Sequence, residues 1–496
     1  MGVVRGRQAG KAAPADTGAR DATLPRLRGA ERVVAWLLPS LGDLIFAACL
    51  LGIIFVLQGR ALGVDGDIGW HIALGLRTLG GDLPRADTFS FTAYGRPLVG
   101  VEWLAEAAYA AVWRVAGLNG VVALAALLIA VTAAGLLAAV RARGVPLLLA
   151  LPLALVAIAL TSIAWEARPH LFSFALTLWW SEWLWRYWRD GRRWRLWCFP
   201  AVMALWVNLH GGFLAGLILL GTAVAVAWLF PRAHGRAEPR ALALTWLACV
   251  VATFANPWGA TWIGYYAAFF SDPLVAAHTQ EWQSPDFHTL AGRLFLALLL
   301  LLVAAWIFGG RGAGRAEDGA AMRGTASSAG APEPLAWATA GVWTVLALTA
   351  IRAVPLWALI VTPLLGQALA GWLVPWFAGR ATGETRAAKT APKGVPPRRP
   401  PARPRRMGYD SRAARLGHGL RGAGARVAGG AARLEAVERQ IGRGVWSGVA
   451  LLLVLVVVFN GGKLPGGRAP VVDVRFSATA FPVAAVARLR AEGLPP

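Results

Sequence analysis

Long stretches without a single charge dominate this chain. Gly120–Val140 and Gly211–Phe230 are two of several runs of 17 to 23 residues that contain no Asp, Glu, Lys or Arg. As a helix, each is about long enough to cross roughly 30 Å of hydrocarbon. The composition agrees: 57% of the 496 residues are hydrophobic and 15% are charged, against about 25% charged in an ordinary soluble domain. The 25 tryptophans fit indoles placed at headgroup level. The reading is an all-α, polytopic transmembrane helix bundle.

Apolar periodicity predicts about eleven spans, at 42–58, 119–140, 145–164, 169–188, 196–209, 211–230, 240–256, 291–309, 335–351, 354–376 and 445–460. Segment 196–209 is short, so it must tilt or be continued by its flanks. With the N-terminus in the cytoplasm, the inside segments are 1–41, 141–144, 186–195, 231–240, 310–334 and 377–444. They hold about 36 of the 49 Lys and Arg, as the positive-inside rule requires. The opposite orientation would put RDGRRWR outside, beside two spans. The C-terminus is then expected outside.

A net charge of +23 invites a nucleic-acid reading, which the distribution of charge excludes. The basic residues fall in short loops and one long tract and do not form a single folded basic face. Cys49, Cys198 and Cys249 form no pairing pattern and no thiolate metal motif. The first apolar run is followed by no A-x-A site, so no cleavable signal peptide is expected.

Four regions follow: a basic cytoplasmic segment at 1–41, a transmembrane core at 42–376, a linker at 377–444, and a last helix with a short outer tail at 445–496. The linker carries PKGVPPRRPPARPRR and almost no large apolar side chain, so it has nothing with which to bury a core. Its expected partner is anionic lipid headgroup, each Lys or Arg near the surface contributing about 1 kcal/mol. Toward its end Leu434, Val437 and Ile441 share one helical face and predict a helix.

The polar chemistry gathers in segments assigned to the outer side. Asp65 and Asp67 form an Asp-x-Asp pair, followed by Trp70, His71, Leu74 and Arg77 at helical spacing. Two such carboxylates can bind a hard cation jointly, or one can act as a base that the other positions; a helix cap with a solvated turn is the plainer reading. Glu102 and Glu106 lie one helical turn apart. Glu166, Arg168 and His170 occupy one span junction, Asn208 and His210 another, and Arg352 a third. Singly, each suits a satisfied helix end. Together they are what a water-filled cavity open to one face requires.

From Asp65 onward the chain resembles the first outer loop of bacterial membrane proteins related to the GT-C glycosyltransferases. The matching features are Asp65-x-Asp67, Trp70-His71, the G-x-L-P-x-x-D-T-F-S-F run ending at Phe91, and Glu102-Trp103-Leu104. Arg168–His170, Asn208–Gly212 and Asn256–Gly259 fit the same group, so the resemblance covers most of 42–376. It implies transfer of a sugar from a polyprenyl-phosphate donor on the outer face of a bacterial inner membrane. Asp67, or else Asp65, would be the base. His71, Glu102, Glu106, Arg168, His170, Asn208, His210 and Arg352 would bind substrate, and a divalent cation, Mg2+ or Mn2+, would be an optional aid held by Asp65 and Asp67. The chain departs from the group in its longer, more basic 377–444 tract and its shorter outer tail.

Two other classes compete. A transporter or flippase of lipid-linked glycan would need charged or broken helices at mid-membrane depth, whereas the charges here sit at span ends. A non-catalytic scaffold would use the basic tract for docking and would tolerate alanine at both Asp65 and Asp67.

Overall fold

The structure is a computed structural model that describes residues 29–57, 65–231, 236–321, 334–389, 430, 433–441, 444–476 and 481–493. Most of the linker, residues 390–429, lies outside the described residues. Among the described residues the fold is all-helical, and its only β pairing is two isolated bridges.

The helices are α1 (Ala30–Leu37), α2 (Leu41–Leu51), α3 (Asp67–Leu79), α4 (Trp103–Ala142), α5 (Leu147–Thr161), α6 (His170–Asp190), α7 (Cys198–Trp206), α8 (Phe213–Leu229), α9 (Pro239–Ala252), α10 (Thr261–Ser271), α11 (Pro273–His278), α12 (Leu290–Ala321), α13 (Pro334–Thr349), α14 (Val354–Lys389), α15 (Arg433–Gln440), α16 (Val445–Phe459) and α17 (Val483–Ala491).

Five of the eleven expected crossings are helices long and apolar enough to span: Val33–Val56, Trp103–Ala142, Leu147–Ala164, Leu290–Phe308 and Ile351–Leu373. A sixth exists if α15 and α16, bent by 60°, act as one. The remainder fall short for visible reasons. Helices α7, α8, α9 and α13 have 9, 17, 14 and 16 residues, or about 14–26 Å at 1.5 Å per residue. The chain leaves helix at Gly211–Gly212 and Asn256–Pro257 instead of extending them. Helix α6 has 21 residues but carries Glu182, Arg186, Arg189 and Asp190 in its second half.

At 40 residues α4 would be about 60 Å long if straight. It breaks at Ala116 and Gly117, where Gly117 takes φ +57°, a conformation open to glycine and costly for other residues. Its first limb packs under α3, and its second joins the core with α2, α5, α6 and α14. Close approach of α3 and α4 depends on Gly75: a Cβ there would run into the Glu106 carbonyl. The central span is Ile351–Leu373, whose most apolar 18-residue stretch is 72% buried, while that of Leu290–Phe308, at 28%, lies at the periphery.

Placement at headgroup level does not describe all of the tryptophans. Trp180, Trp188, Trp206, Trp343 and Trp357 are fully buried. Trp180 and Trp206 meet edge to face across Gly216, where a side chain would collide with both rings.

The end of the bundle opposite the site is fastened by ion pairs. Arg143 pairs with buried Glu182, and Arg141 with Glu435 of α15. Asp43 of α2 completes a capping box with Ser40 and accepts from the Gly444 and Ser447 amides at 3.0 Å each. Glu438 accepts from the Leu41 amide at 3.0 Å. The helix expected near the end of the linker is thus present as α15, and it is docked on the core. Beyond α16 the chain turns through Gly461 and Gly462, both at positive φ. It returns to α4, where the Asn119 side chain donates to the Val472 carbonyl (3.3 Å) and accepts from the Val474 amide (2.8 Å).

Candidate functional site

Six segments deliver polar side chains to one end of the bundle. They are the start of α3, the first turn of α4, the α5–α6 junction, the α7–α8 turn, the segment after α11, and the start of α14.

Arg168 is the centre of the first group. Its guanidinium donates from Nε and Nη2 to the two oxygens of Asp65, both at 2.5 Å. This is the forked geometry that makes an Arg–carboxylate pair strong. Asp67, Glu166 and Glu281 follow at 3.2, 3.2 and 3.3 Å. The Asp65 side chain is only 4% exposed, whereas that of Asp67 is 58% exposed. Burial works to raise the Asp65 pKa, but the hydrogen bonds and charge of Arg168 outweigh it and hold the carboxyl below its usual range. The two acids of the Asp-x-Asp motif therefore differ. Asp65 is an anchor, and Asp67, at the first position of α3, stands at the open rim.

Arg352 stands beside this group. It lies over the Trp282 ring at 4.4 Å from the centroid and reaches Glu281 at 3.5 Å, and about a third of its side chain faces solvent.

The second group joins α3 to α4. His71 Nδ1 lies 3.2 Å from Glu106 Oε1, and both side chains are more than nine-tenths buried. Glu102 Oε1 lies 3.5 Å from His210 Nε2. Burial raises Glu102 to about 7; the nearby His71 charge opposes this and Glu106 reinforces it. For His71 burial works to lower the pKa, but the Glu106 hydrogen bond and the Glu102 charge prevail and raise it.

The histidine tautomer at 210 is legible from its partners. Nδ1 accepts from the Gly212 amide at 2.9 Å and meets Ser173 Oγ at 2.8 Å. Ser173 Oγ in turn accepts from Trp206 Nε1 at 2.8 Å. A backbone N–H aimed at Nδ1 requires a lone pair there, so the proton sits on Nε2, toward Glu102. His170 is spent differently: its Nε2 bonds the Ala164 carbonyl at 2.6 Å. Asn208 is spent as well. Its oxygen accepts from Trp103 Nε1 at 2.7 Å and its nitrogen donates to the carbonyls of Ala204 (2.7 Å) and Ala255 (2.8 Å).

The sequence-predicted residues are therefore brought together, with divided roles. Asp65, Asp67, His71, Glu102, Glu106, Arg168, His210 and Arg352 form two adjoining clusters, while Asn208 and His170 hold the surrounding backbone. Glu281, Trp282 and Ser173 complete the arrangement. Glu281 and Trp282 lie in the second long polar loop, where the acid and the indole are the signal; Ser173, inside an apolar helix, gives none.

Beside the expected cation ligands the structure offers a second set. Arg168 occupies both oxygens of Asp65, leaving the Asp-x-Asp pair poorly suited to a metal. Among the described residues the group of three that offers ligand atoms within 4.8 Å of one another is His71, Glu102 and Glu106. One imidazole and two carboxylates make a chemically suitable donor set for a divalent cation.

No protein family matches the chain, and neither does any curated protein or solved structure.

Proposed function

We propose that this chain is a membrane glycosyltransferase of GT-C type with eleven spans. It moves a sugar from a polyprenyl-phosphate donor to an acceptor hydroxyl on the outer face of a bacterial inner membrane. The observation that carries the reading is Arg352: a cation stacked on Trp282, partly open to solvent, with one long carboxylate contact, on the same ion-pair network, through Glu281 and Arg168, as the exposed carboxylate of Asp67. Arg168 is less available to a phosphate, because four acids already surround it and Asp65 holds it in a fork.

In this reading the donor phosphate lies against Arg352, where the departing negative charge is stabilised. An incoming phosphate displaces Glu281, whose contacts with Arg352 and Arg168 are the long ones. Asp67 takes the proton of the acceptor hydroxyl as its oxygen attacks the anomeric carbon from the face opposite the phosphate. The C–O bond to phosphate breaks with inversion, and the electron pair leaves on the phosphate. Asp65 does not compete as base, since it is buried and Arg168 holds its carboxyl below the usual range, which lowers its basicity.

The test is transfer from a panel of radiolabelled polyprenyl-phosphate sugars by the purified chain in vesicles. Wild-type turnover with one donor, lost in Asp67→Asn and weakened through the donor KM in Arg352→Ala, is the expected result. Movement of lipid-linked glycan across the bilayer without transfer would instead make the chain a flippase and end this reading.

A further inference from the structure

Buried acids elsewhere in the described core are matched by an arginine or by a set of hydrogen-bond donors. Asp65 has Arg168, Glu182 has Arg143, and Asp43 has Ser40, Ser447 and the Gly444 amide. Glu102 and Glu106 break this pattern. Among the described residues their ion-pair partners are histidines, His210 and His71. Two carboxylates one helical turn apart thus face a third ligand, with no arginine in contact to neutralise them.

Their placement is rigid. Glu102 is the N-cap of α4 and Glu106 lies in its first turn, and His71 comes from α3, which is held against α4 by the absence of a side chain at Gly75. The three ligand atoms lie within 4.8 Å of one another. Ligands bound at about 2.0–2.2 Å to one tetrahedral ion would be about 3.3–3.6 Å apart. Glu102 can supply the closing movement, since its side chain is 27% exposed while His71 and Glu106 are fixed by burial. Behind Glu102 stands His210, with its Nε2 proton directed at the carboxylate and its Nδ1 held by Gly212 and Ser173. Metal-ligating carboxylates are oriented by outer partners of this kind.

We propose that His71, Glu102 and Glu106 bind a divalent transition-metal ion, Zn2+ or Mn2+, with the remaining coordination position left to water or a ligand. The imidazole sets the selectivity, because Mg2+ and Ca2+ favour all-oxygen shells. The site stands whether or not the chain transfers a sugar, so its test reads binding alone.

The experiment uses the full chain in lipid nanodiscs at pH 7.5, stripped with chelator. Zn2+ is titrated by calorimetry, and Mn2+ is followed by electron spin-echo spectroscopy. One equivalent of each ion should bind per chain, with the Mn2+ signal modulated by a single imidazole nitrogen, and a hundredfold excess of Mg2+ should not displace it. Glu106→Gln and His71→Asn should each weaken binding at least 100-fold, and Asp65→Asn and Asp67→Asn by less than threefold. Glu102→Gln, at the half-buried ligand, keeps the buried packing and should also weaken binding at least 100-fold, and the nitrogen modulation of the wild type needs no variant. Substoichiometric binding by the wild type, a Mn2+ signal without nitrogen coupling, ready displacement by Mg2+, or loss through the Asp variants alone would overturn the assignment.

Discussion

Replacing Arg168 by Gln strips the cation from Asp65, whose side chain is 4% exposed and receives two hydrogen bonds at 2.5 Å. Removing one partner of a buried ion pair costs about 3–5 kcal/mol. Arg168 is itself 24% exposed, so water screens its far side and the lower end, about 3 kcal/mol, is expected. The pairs with Asp67, Glu166 and Glu281 involve acids 36–58% exposed and contribute about 0–1 kcal/mol each. The effect is therefore the cost of one stranded carboxylate, and Asp65→Asn placed on the Arg168→Gln background should recover about 2 kcal/mol. pH gives the sign. Wild-type Asp65 is held below its unfolded pKa of about 3.9, so its contribution is complete above that pH and is lost as pH falls through the folded value. In Arg168→Gln the buried carboxyl has no cation and titrates above about 3.9, so the variant gains on the wild type as pH falls from about 7 to about 4. Denaturant unfolding in mixed micelles, read by a thiol-reactive dye at buried Cys249, measures both quantities. A loss under about 1 kcal/mol, or a double variant no more stable than Arg168→Gln, refutes the reasoning.

Three further outcomes are expected. Asp67→Asn should abolish transfer in the vesicle assay while leaving the unfolding midpoint unchanged, because the side chain is exposed and contributes little to stability. Gly75→Ala should cost about 1–3 kcal/mol by forcing α3 off α4, whereas Gly69→Ala, with no atom within 4 Å of the added Cβ, should gain about 0.5–1 kcal/mol; paired denaturation curves decide both. Shortening 381–432 to a Gly/Ser linker should leave insertion and transfer intact. Carrying the deletion through Glu435 and Glu438 should cost about 1–3 kcal/mol, read on the same curves, because Arg141 and the Leu41 amide lose their partners.

Features written in periodicity were legible in the sequence: the long apolar helices, α3 beginning at Asp67, the Glu102–Glu106 face, and the helix near Leu434 and Val437. Features set by contacts distant in sequence were not. Asp65 and Arg168 are 103 residues apart, and nothing local says that one acid of the motif is buried in a forked pair while its neighbour two residues on is exposed. Asn208 and His170 read as ligands because polar residues at helix ends serve backbone and substrate with the same atoms, and only the observed partners distinguish the two uses. The number of crossings was ambiguous for a related reason. Hydropathy marks apolar runs without showing where the chain leaves helix, as it does at Gly211–Gly212 and Asn256–Pro257.

The tail's return to Asn119 sets an order of assembly. The Asn119 amide, at the break in α4, meets both of its tail partners more than 350 residues later in the chain. At about 5–20 residues per second, a ribosome needs roughly 20 to 70 s to travel from one to the other. Throughout that interval α4 lies in the membrane with its bend unclasped, and helices α5 to α16 are all made before Val472 emerges. The clasp is a late event of biogenesis, closing only after α16 is in place. A chain interrupted before Val472 would then insert its helices and still lack the fastening at the α4 break.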